Sequence, residues 1–101
     1  MNEEEYRNGI VSIAEHYQYL SQSRQLIEEM AELTVAINKW WRLGNDMVNL
    51  PIKRKDVIEE ISDVEVVLEQ VKYLLCCELE VEKVKREKVE RQLKRMESEE
   101  Q

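Results

Sequence analysis

Two pairs of acidic residues stand at intervals that place their side chains on one side of a helix. Glu29 and Glu32 form the first pair, and Glu60 and Asp63 form the second. Residues three apart in a helix lie one turn from each other on the same face, so each pair presents two carboxylates together. Mg²⁺ prefers oxygen ligands in a near-octahedral arrangement and keeps several waters. Two such pairs on facing helices therefore predict a site for one or more divalent cations.

The apolar surroundings of these pairs separate them from other acidic pairs in the chain. The same spacing recurs at Asp56/Glu59, Glu87/Glu90 and Glu97/Glu100, so spacing alone is weak evidence. The neighbours of the chosen pairs are Leu26, Met30, Leu33 and Ala36 around the first, and Ile58, Ile61, Val64 and Val67 around the second. A carboxylate beside a core must be paired or metal-bound, because desolvating it alone is costly. A metal site and partly buried salt bridges both account for this pattern.

The elements that must hold these carboxylates have the composition of an all-α protein. The 101 residues include two glycines, one proline and no phenylalanine, and are rich in Glu, Lys, Leu, Val and Gln. Such a composition favours helices. A chain of this length buries only about two-thirds of its unfolded surface. We therefore expect a single domain over residues 1–101, an antiparallel bundle of four or so helices whose core is completed by homo-oligomerisation.

Apolar periodicity and capping residues predict the helix boundaries. A first helix covers about residues 4–19. A second helix begins after residues 21–23, whose hydroxyls can cap it, and ends near Leu43 because Gly44 can form the C-cap. A loop occupies residues 44–55, and a third helix starts at a capping box of Asp56 and Glu59. The core motif region spans about residues 21–78, and a charged helix with a thin apolar seam spans about 79–97. The residues predicted to face inward are Ile10, Ile13, Ala14 and Tyr17 in the first helix, Leu26, Met30, Leu33, Ile37 and Trp40 or Trp41 in the second, and Ile58, Ile61, Val64, Leu68, Val71 and Leu75 in the third.

Charge and cysteine content narrow the functional classes. The formal net charge of −7 argues against a nucleic-acid-binding protein, which needs a basic surface. Cys76 and Cys77 are adjacent, which suits neither an ordinary disulfide framework nor a zinc knuckle and indicates reduced thiols. No apolar run approaches the roughly 20 residues that span a bilayer, and the acidic start lacks the features of a signal peptide. We expect a cytoplasmic protein without nucleic-acid or membrane partners.

The acidic pairs lie in segments that resemble a known enzyme family. The first segment is Glu28-Glu29-Met30-Ala31-Glu32-Leu33-Thr34-Val35-Ala36-Ile37-Asn38-Lys39, and the second is Ile58-Glu59-Glu60-Ile61-Ser62-Asp63-Val64. Together, over roughly residues 25–75, they resemble the MazG-like all-α nucleoside triphosphate pyrophosphohydrolases, which are related to the dimeric dUTPases and dCTPases. The likeness is to short members of phage or prophage type.

The resemblance implies a reaction and a role for each acidic residue. Mg²⁺, or Mn²⁺ in its place, would be held by Glu29, Glu32, Glu60 and Asp63. A nucleoside triphosphate would be hydrolysed to the monophosphate and pyrophosphate by attack of water on the α-phosphorus. Glu28 or Glu32 would accept the proton of that water, and the sequence does not rank the two. Family precedent also implies a dimer or tetramer, with the nucleotide pocket between subunits.

Basic and aromatic residues near the motifs are candidates for contacts with the substrate. Lys39 follows Glu32 by two turns on nearly the same face, and Lys53 and Arg54 precede the predicted third helix. These cations could bind the β- and γ-phosphates. For Lys53 and Arg54 the competing interpretation is a solvated loop without a role in binding. Trp40 could flank a base, as an aromatic residue does in dCTPase-like relatives. Core packing or a subunit contact is the commoner use of tryptophan.

Two other functions stay open on the sequence. An interaction module would use the charged C-terminal helix in a coiled coil, would employ the acidic clusters in salt bridges, and would show no dependence on Mg²⁺. A coiled coil needs roughly three or four regular heptads, and the apolar seam of this helix is shorter and less regular than that. A nucleotide-binding regulatory protein would bind the same ligand without turnover.

Overall fold

Three helices account for nearly all of the fold. The computed structural model describes residues 1–100, in which α1 spans Glu3–Leu43, α2 spans Leu50–Leu74 and α3 spans Glu78–Glu100. The described residues contain no β-strand, so the predicted all-α class is confirmed. None of the helices in residues 1–100 carries an apolar stretch sufficient to cross a membrane.

α1 is broken into two helical segments at Gln18. This residue has φ 70° and ψ 172°, a region that residues other than glycine rarely occupy and that costs on the order of 1–3 kcal/mol. The Gln18 side chain donates a hydrogen bond to the backbone carbonyl of Glu15, which the break has freed from its helical partner. The boundary predicted at residues 21–23 is therefore wrong by a few residues, because the hydroxyls of Ser21 and Ser23 bond to Gln22 and to the Leu20 carbonyl and cap no helix.

The connection between α1 and α2 is shorter than predicted. α1 ends at Gly44, whose φ of 56° is left-handed, and α2 begins at Leu50 with Pro51 in its first turn. Proline is tolerated there because the first turn needs no amide donor from it. The carboxylate of Asp46 organises the turn by accepting bonds from the backbone amides of Val48 and Asn49, both at 3.1 Å.

The predicted capping box at the start of the third helix is wrong. Asp56 and Glu59 lie inside α2, where Asp56 pairs with Lys53 at 3.6 Å. The predicted loop over residues 44–55 is correspondingly reduced to residues 44–49. Pro51 lies in the first turn of α2, where a proline is compatible with the helix.

The part of α1 after Gln18 packs against α2 in antiparallel directions, as the pairing of Gln22 with Gln70 and of Glu29 with Glu60 shows. The amide of Gln22 donates to the carbonyl oxygen of Gln70, and both side chains are buried. Two tyrosines fasten the N-terminal segment of α1, residues 3–17, to the C-terminal part of α2. Tyr6 donates to Glu69, and Tyr73 donates to Glu15 at 2.5 Å. These bonds fix the register that places Glu29 opposite Glu60.

The core is small and differs from the one predicted. Its buried apolar residues are Ile10, Ala14, Ala36, Val67 and Val71. Several residues predicted to face inward are exposed instead, namely Ile13, Tyr17, Met30, Ile37, Trp41, Ile58, Ile61, Leu68 and Leu75. The physical reason is that two packed helices cover only one stripe of each other, so the remaining apolar side chains of α1 and α2 have no neighbour in the same chain.

α3 leaves the α1–α2 pair after a turn at residues 75–77 and contains no buried residue. Its start is tied to α1 by an ion pair between Arg7 and Glu78 at 2.7 Å. The radius of gyration is 17.4 Å, against about 13 Å for a compact domain of this length. The accessible surface is 8322 Å², against roughly 6,000 Å² for a compact monomer of this mass. The single chain therefore exposes an unusually large area.

Candidate metal centre

Three carboxylates from α1 and α2 converge where the two helices face each other. Oxygen atoms of Glu29, Glu60 and Asp63 all lie within 4.8 Å of one another, and we call these residues the carboxylate triad. Glu29 comes from α1, and the other two come from one turn of α2. Two ligands of a Mg²⁺ ion with bonds of 2.0–2.1 Å are about 3 Å apart when adjacent and about 4 Å apart when opposite, so the three carboxylates would have to move closer together to bind one ion.

Two oxygens of the triad are buried and unsatisfied. Oε2 of Glu29 and Oε2 of Glu60 have no hydrogen-bond partner, although other buried polar side-chain atoms in residues 1–100 do. Buried polar groups are normally hydrogen-bonded, so an orphaned carboxylate oxygen calls for an explanation such as an ion. The other oxygen of Glu29 accepts a bond from the amide of Gln25 at 2.7 Å. Glu29 therefore has one oxygen that accepts a hydrogen bond and one that is buried without a partner.

Salt bridges do not account for the triad. The ion pairs found in residues 1–100 join Arg7 to Glu78, Lys53 to Asp56, Lys83 to Glu87 and Lys85 to Glu82. None of these pairs includes a member of the triad. The partly buried salt bridges that the sequence left open are therefore not found at the triad within residues 1–100.

The charge of the site acts most strongly on Glu60. Burial raises the pKa of Glu60, and repulsion from Glu32, Asp63 and Glu29 raises it further. The effect of Glu32 shows that this fourth predicted ligand also lies beside Glu60, although it is exposed and outside the triad. The site thus concentrates negative charge that no protein cation offsets, and a divalent ion would relieve the repulsion.

A groove of about 360 Å³ runs beside the carboxylate triad, a size within the range of small-molecule sites. Its lining residues are Ala31, Glu32, Val35, Ala36, Lys39, Lys53, Asp56, Glu59 and Glu60, and we call it the acidic groove. Glu60 belongs to both the acidic groove and the triad, so a ligand in the groove would reach an ion at the triad. Asp56 and Glu59 were missed as site residues because they were assigned to a helix cap.

The structure divides the predicted substrate-binding residues between two grooves. Lys39 and Lys53 line the acidic groove. Trp40 and Arg54 line a separate groove of about 290 Å³. Its full lining is Ile37, Trp40, Trp41, Arg54, Val57, Ile58 and Ile61, and we call it the tryptophan groove. On α1 the residues of the two grooves point to different sides of the helix, since Ile37 and Trp41 are one turn apart on a face away from Glu32 and Lys39.

Glu28, the predicted accessory carboxylate, is exposed on α1. It precedes Glu32 by four residues and therefore lies one turn from it on the same side of the helix. Glu28 does not line the acidic groove, whereas Glu32 does. Of the two candidates for accepting a proton from water, Glu32 is the one that lines the acidic groove and acts on the pKa of Glu60.

No family model, curated protein or solved structure matches this chain. The carboxylate triad and the acidic groove are therefore the structural features that bear on the function of this chain.

Removing the charge of Glu60 should stabilise the metal-free protein. A carboxyl whose pKa is raised on folding stabilises the folded state while protonated, and that contribution is lost as the pH rises through the raised pKa. We therefore expect Glu60→Gln to shift the urea midpoint at neutral pH upward in the presence of a chelator. Glu59→Gln, which removes a neighbouring exposed charge outside the triad, should give a smaller shift. A lower midpoint for metal-free Glu60→Gln would show that the ionised carboxylate is favourably paired.

Proposed function

We propose that this chain is a MazG-like nucleoside triphosphate pyrophosphohydrolase that hydrolyses an NTP or dNTP to the monophosphate and pyrophosphate in a Mg²⁺-dependent reaction. The observation that carries the proposal is the pair of buried, unpartnered oxygens on Glu29 and Glu60, with Asp63 beside them. An all-oxygen, anionic donor set of this kind suits a hard divalent cation. The resemblance of the two acidic segments to the family supplies the reaction.

Glu29, Glu60 and Asp63 would hold Mg²⁺, or Mn²⁺ in its place, and Glu32 would join them from the next turn of α1. When bound, the ion would offset charge on the phosphate oxygens and lower the pKa of the attacking water. Glu32 lies in the acidic groove beside Glu60, where it is placed to accept a proton from water. Glu28, one turn earlier, would assist in orienting water.

The lysines of the acidic groove would bind the terminal phosphates. Lys39 takes part in none of the ion pairs found in residues 1–100, so its charge is available to a ligand. Lys53 is partly neutralised by Asp56 at 3.6 Å, which makes it the weaker candidate. Trp40 and Arg54 would serve the substrate only if the base extended into the tryptophan groove.

Purified protein should release pyrophosphate from nucleoside triphosphates when Mg²⁺ is present and not when it is chelated. We expect Asp63→Asn and Glu32→Gln to lower kcat/KM by more than about 100-fold, since even outer-shell partners of a metal cost about 10–100-fold. A panel of NTPs and dNTPs, assayed for pyrophosphate and orthophosphate, provides the measurement. Glu90→Gln, a matched change on α3, should retain activity. Release of orthophosphate, or activity that persists in Asp63→Asn, would rule out this mechanism.

The same assay distinguishes between the two grooves as the phosphate site. Loss of a charge-assisted hydrogen bond costs about 1.5–3 kcal/mol, so Lys39→Met should raise KM roughly tenfold or more. Arg54→Met should raise KM less, because Arg54 lies in the tryptophan groove. Lys94→Met, on α3, controls for the loss of a surface lysine. A larger effect of Arg54→Met than of Lys39→Met would place the phosphates in the tryptophan groove.

The proposed enzyme is a homo-oligomer, a dimer or tetramer. The chain exposes roughly 2,300 Å² more surface than a compact monomer of its mass, which is comparable to the area that stable interfaces bury. The exposed apolar side chains of α1 and α2 are concentrated on the side of the tryptophan groove, as Ile37, Trp41, Ile58 and Ile61 show. A second copy packed on this side would complete the core and leave the acidic groove open.

Light scattering should give a mass at least twice the 12.1 kDa of the chain at micromolar concentration. Ile61→Asp, which puts a charge on the apolar side, should shift the protein toward the monomer with its helical circular dichroism retained. Ile52→Asp makes the same change at an exposed position of α2 that does not line the tryptophan groove, so it is the matched control and should not change the mass. A monomeric wild type, or dissociation by Ile52→Asp and not by Ile61→Asp, would contradict this arrangement.

An interaction or regulatory role is the second candidate, favoured by α3. This helix has no buried residue and leaves the α1–α2 pair, so its surface is available to a partner. A protein of this kind would bind nucleotides without releasing pyrophosphate, or would show no response to Mg²⁺. The activity assay therefore decides between the two functions.

A further inference from the structure

Within residues 1–100, Gln25 is the one side chain other than an acidic one that bonds to a member of the carboxylate triad. Its amide nitrogen, Nε2, donates to Oε1 of Glu29 at 2.7 Å, and the contact is partly shielded from solvent. Gln25 precedes Glu29 by four residues on α1, so it stands one turn away on the same face. The other oxygen of Glu29, Oε2, is buried without a partner. The bond therefore leaves one Glu29 oxygen occupied and the other available.

Glu29 needs such a bond because its neighbours repel it. Glu60 and Asp63 present carboxylate oxygens within 4.8 Å, and the terminal torsion of a glutamate has no strong preferred angle. Without a donor on Oε1, the Glu29 carboxylate would be free to rotate away from α2. A hydrogen bond at 2.7 Å to Oε1 restricts that rotation, while Oε2 stays buried without a partner.

The amide of a glutamine suits this task better than a basic side chain would. Lysine or arginine at the same position would also bond to Glu29, but its positive charge would offset the negative charge that attracts a cation. An amide donates a hydrogen bond and leaves the charge of the site intact. Gln22, the nearest other glutamine on α1, is already bonded to Gln70 and so does not serve this role.

We infer that Gln25 is a positioning residue of the metal centre, which orients Glu29 so that Oε2 can bind a divalent cation. This inference rests on one part of the proposed function, namely that the carboxylate triad binds Mg²⁺ or Mn²⁺. It adds a residue outside the acidic motifs, and its role is to orient a ligand without contacting the ion or the substrate. Outer-shell partners that orient metal ligands typically change metal affinity by about 10–100-fold.

The test is a titration of the full chain with Mn²⁺ and with Mg²⁺. Binding of each ion is measured by calorimetry, and binding of Mn²⁺ is also measured by electron paramagnetic resonance. Gln25→Met keeps the length of the side chain and its helix preference but removes the donor. We expect its Kd for the ion to rise roughly tenfold. Gln92→Met makes the same chemical change on exposed α3 and should leave the Kd unchanged. Urea unfolding of each metal-free variant shows whether the change in affinity is separate from any change in stability.

Measuring kcat at increasing Mg²⁺ concentration distinguishes a weakened metal site from a loss of stability. In Gln25→Met, saturating Mg²⁺ should restore kcat to near the wild-type value, because the ligands themselves are intact. In Asp63→Asn, excess Mg²⁺ should not restore it. Gln22→Met, which breaks the buried amide pair, should lower stability without the same rise in Kd.

The outcomes separate this inference from the proposed function. If wild type binds the ion, Glu60→Gln abolishes binding and Gln25→Met keeps the wild-type Kd, the positioning role is overturned and the metal centre stands. If wild type binds no divalent ion, both are overturned. If wild type binds the ion and Gln25→Met raises the Kd, but no pyrophosphate is released, the positioning role is supported and the proposed reaction is wrong.

Discussion

The contact between α1 and α2 holds three like charges together, and the other features of the protein follow from it. Glu29, Glu60 and Asp63 approach within 4.8 Å, and two of their oxygens are buried without a partner. Such an arrangement opposes folding, because each ionised carboxylate raises the energy of the others in a poorly solvated place. The hydrophobic contacts of the helix pair must outweigh this repulsion in the metal-free protein. A divalent cation would relieve the same repulsion, so in the proposed enzyme the cost in stability and the affinity for the ion would have one physical origin.

The two sides of the α1–α2 pair have different chemistry because side chains advance by about 100° per residue around a helix. One side carries the acidic groove, where Lys39 and Lys53 face Glu32 and Glu60. The other side carries the tryptophan groove, which is lined mainly by apolar side chains around Trp40 and Trp41. In the proposed enzyme, substrate and ion would use the first side and a second subunit would use the other. Each side could then change in evolution without disturbing the other.

A small core explains the extended shape of the chain. Among residues 1–100, the buried apolar residues are Ile10, Ala14, Ala36, Val67 and Val71 alone, so much of the apolar surface of α1 and α2 stays exposed. Polar contacts between distant parts of the chain add to the register. Gln22 bonds to Gln70 inside the pair, and Arg7 lies over the ring of Tyr73 while it pairs with Glu78. These contacts fasten the N-terminal segment of α1 to the end of α2 and to the start of α3.

Local properties of the sequence were sufficient for part of this structure. Helical composition predicted the all-α class, the charged segment over about 79–97 corresponds to α3, and the spacing of Glu60 and Asp63 placed both carboxylates on one face of a helix. These features depend on residues within four positions of each other, which a helix brings together whatever surrounds it. The break at Gln18 and the start of α2 at Leu50 were not predicted, because a strained backbone and a proline in the first turn give little signal in a single sequence. The convergence of Glu29 with Glu60, the burial of Oε2 of Glu29 without a partner, and the exposure of Ile58 and Ile61 all depend on how two helices dock. Periodicity identifies an apolar stripe on each helix, but the angle and register of docking come from contacts between residues some 30 to 50 positions apart, as in the bond between Gln22 and Gln70.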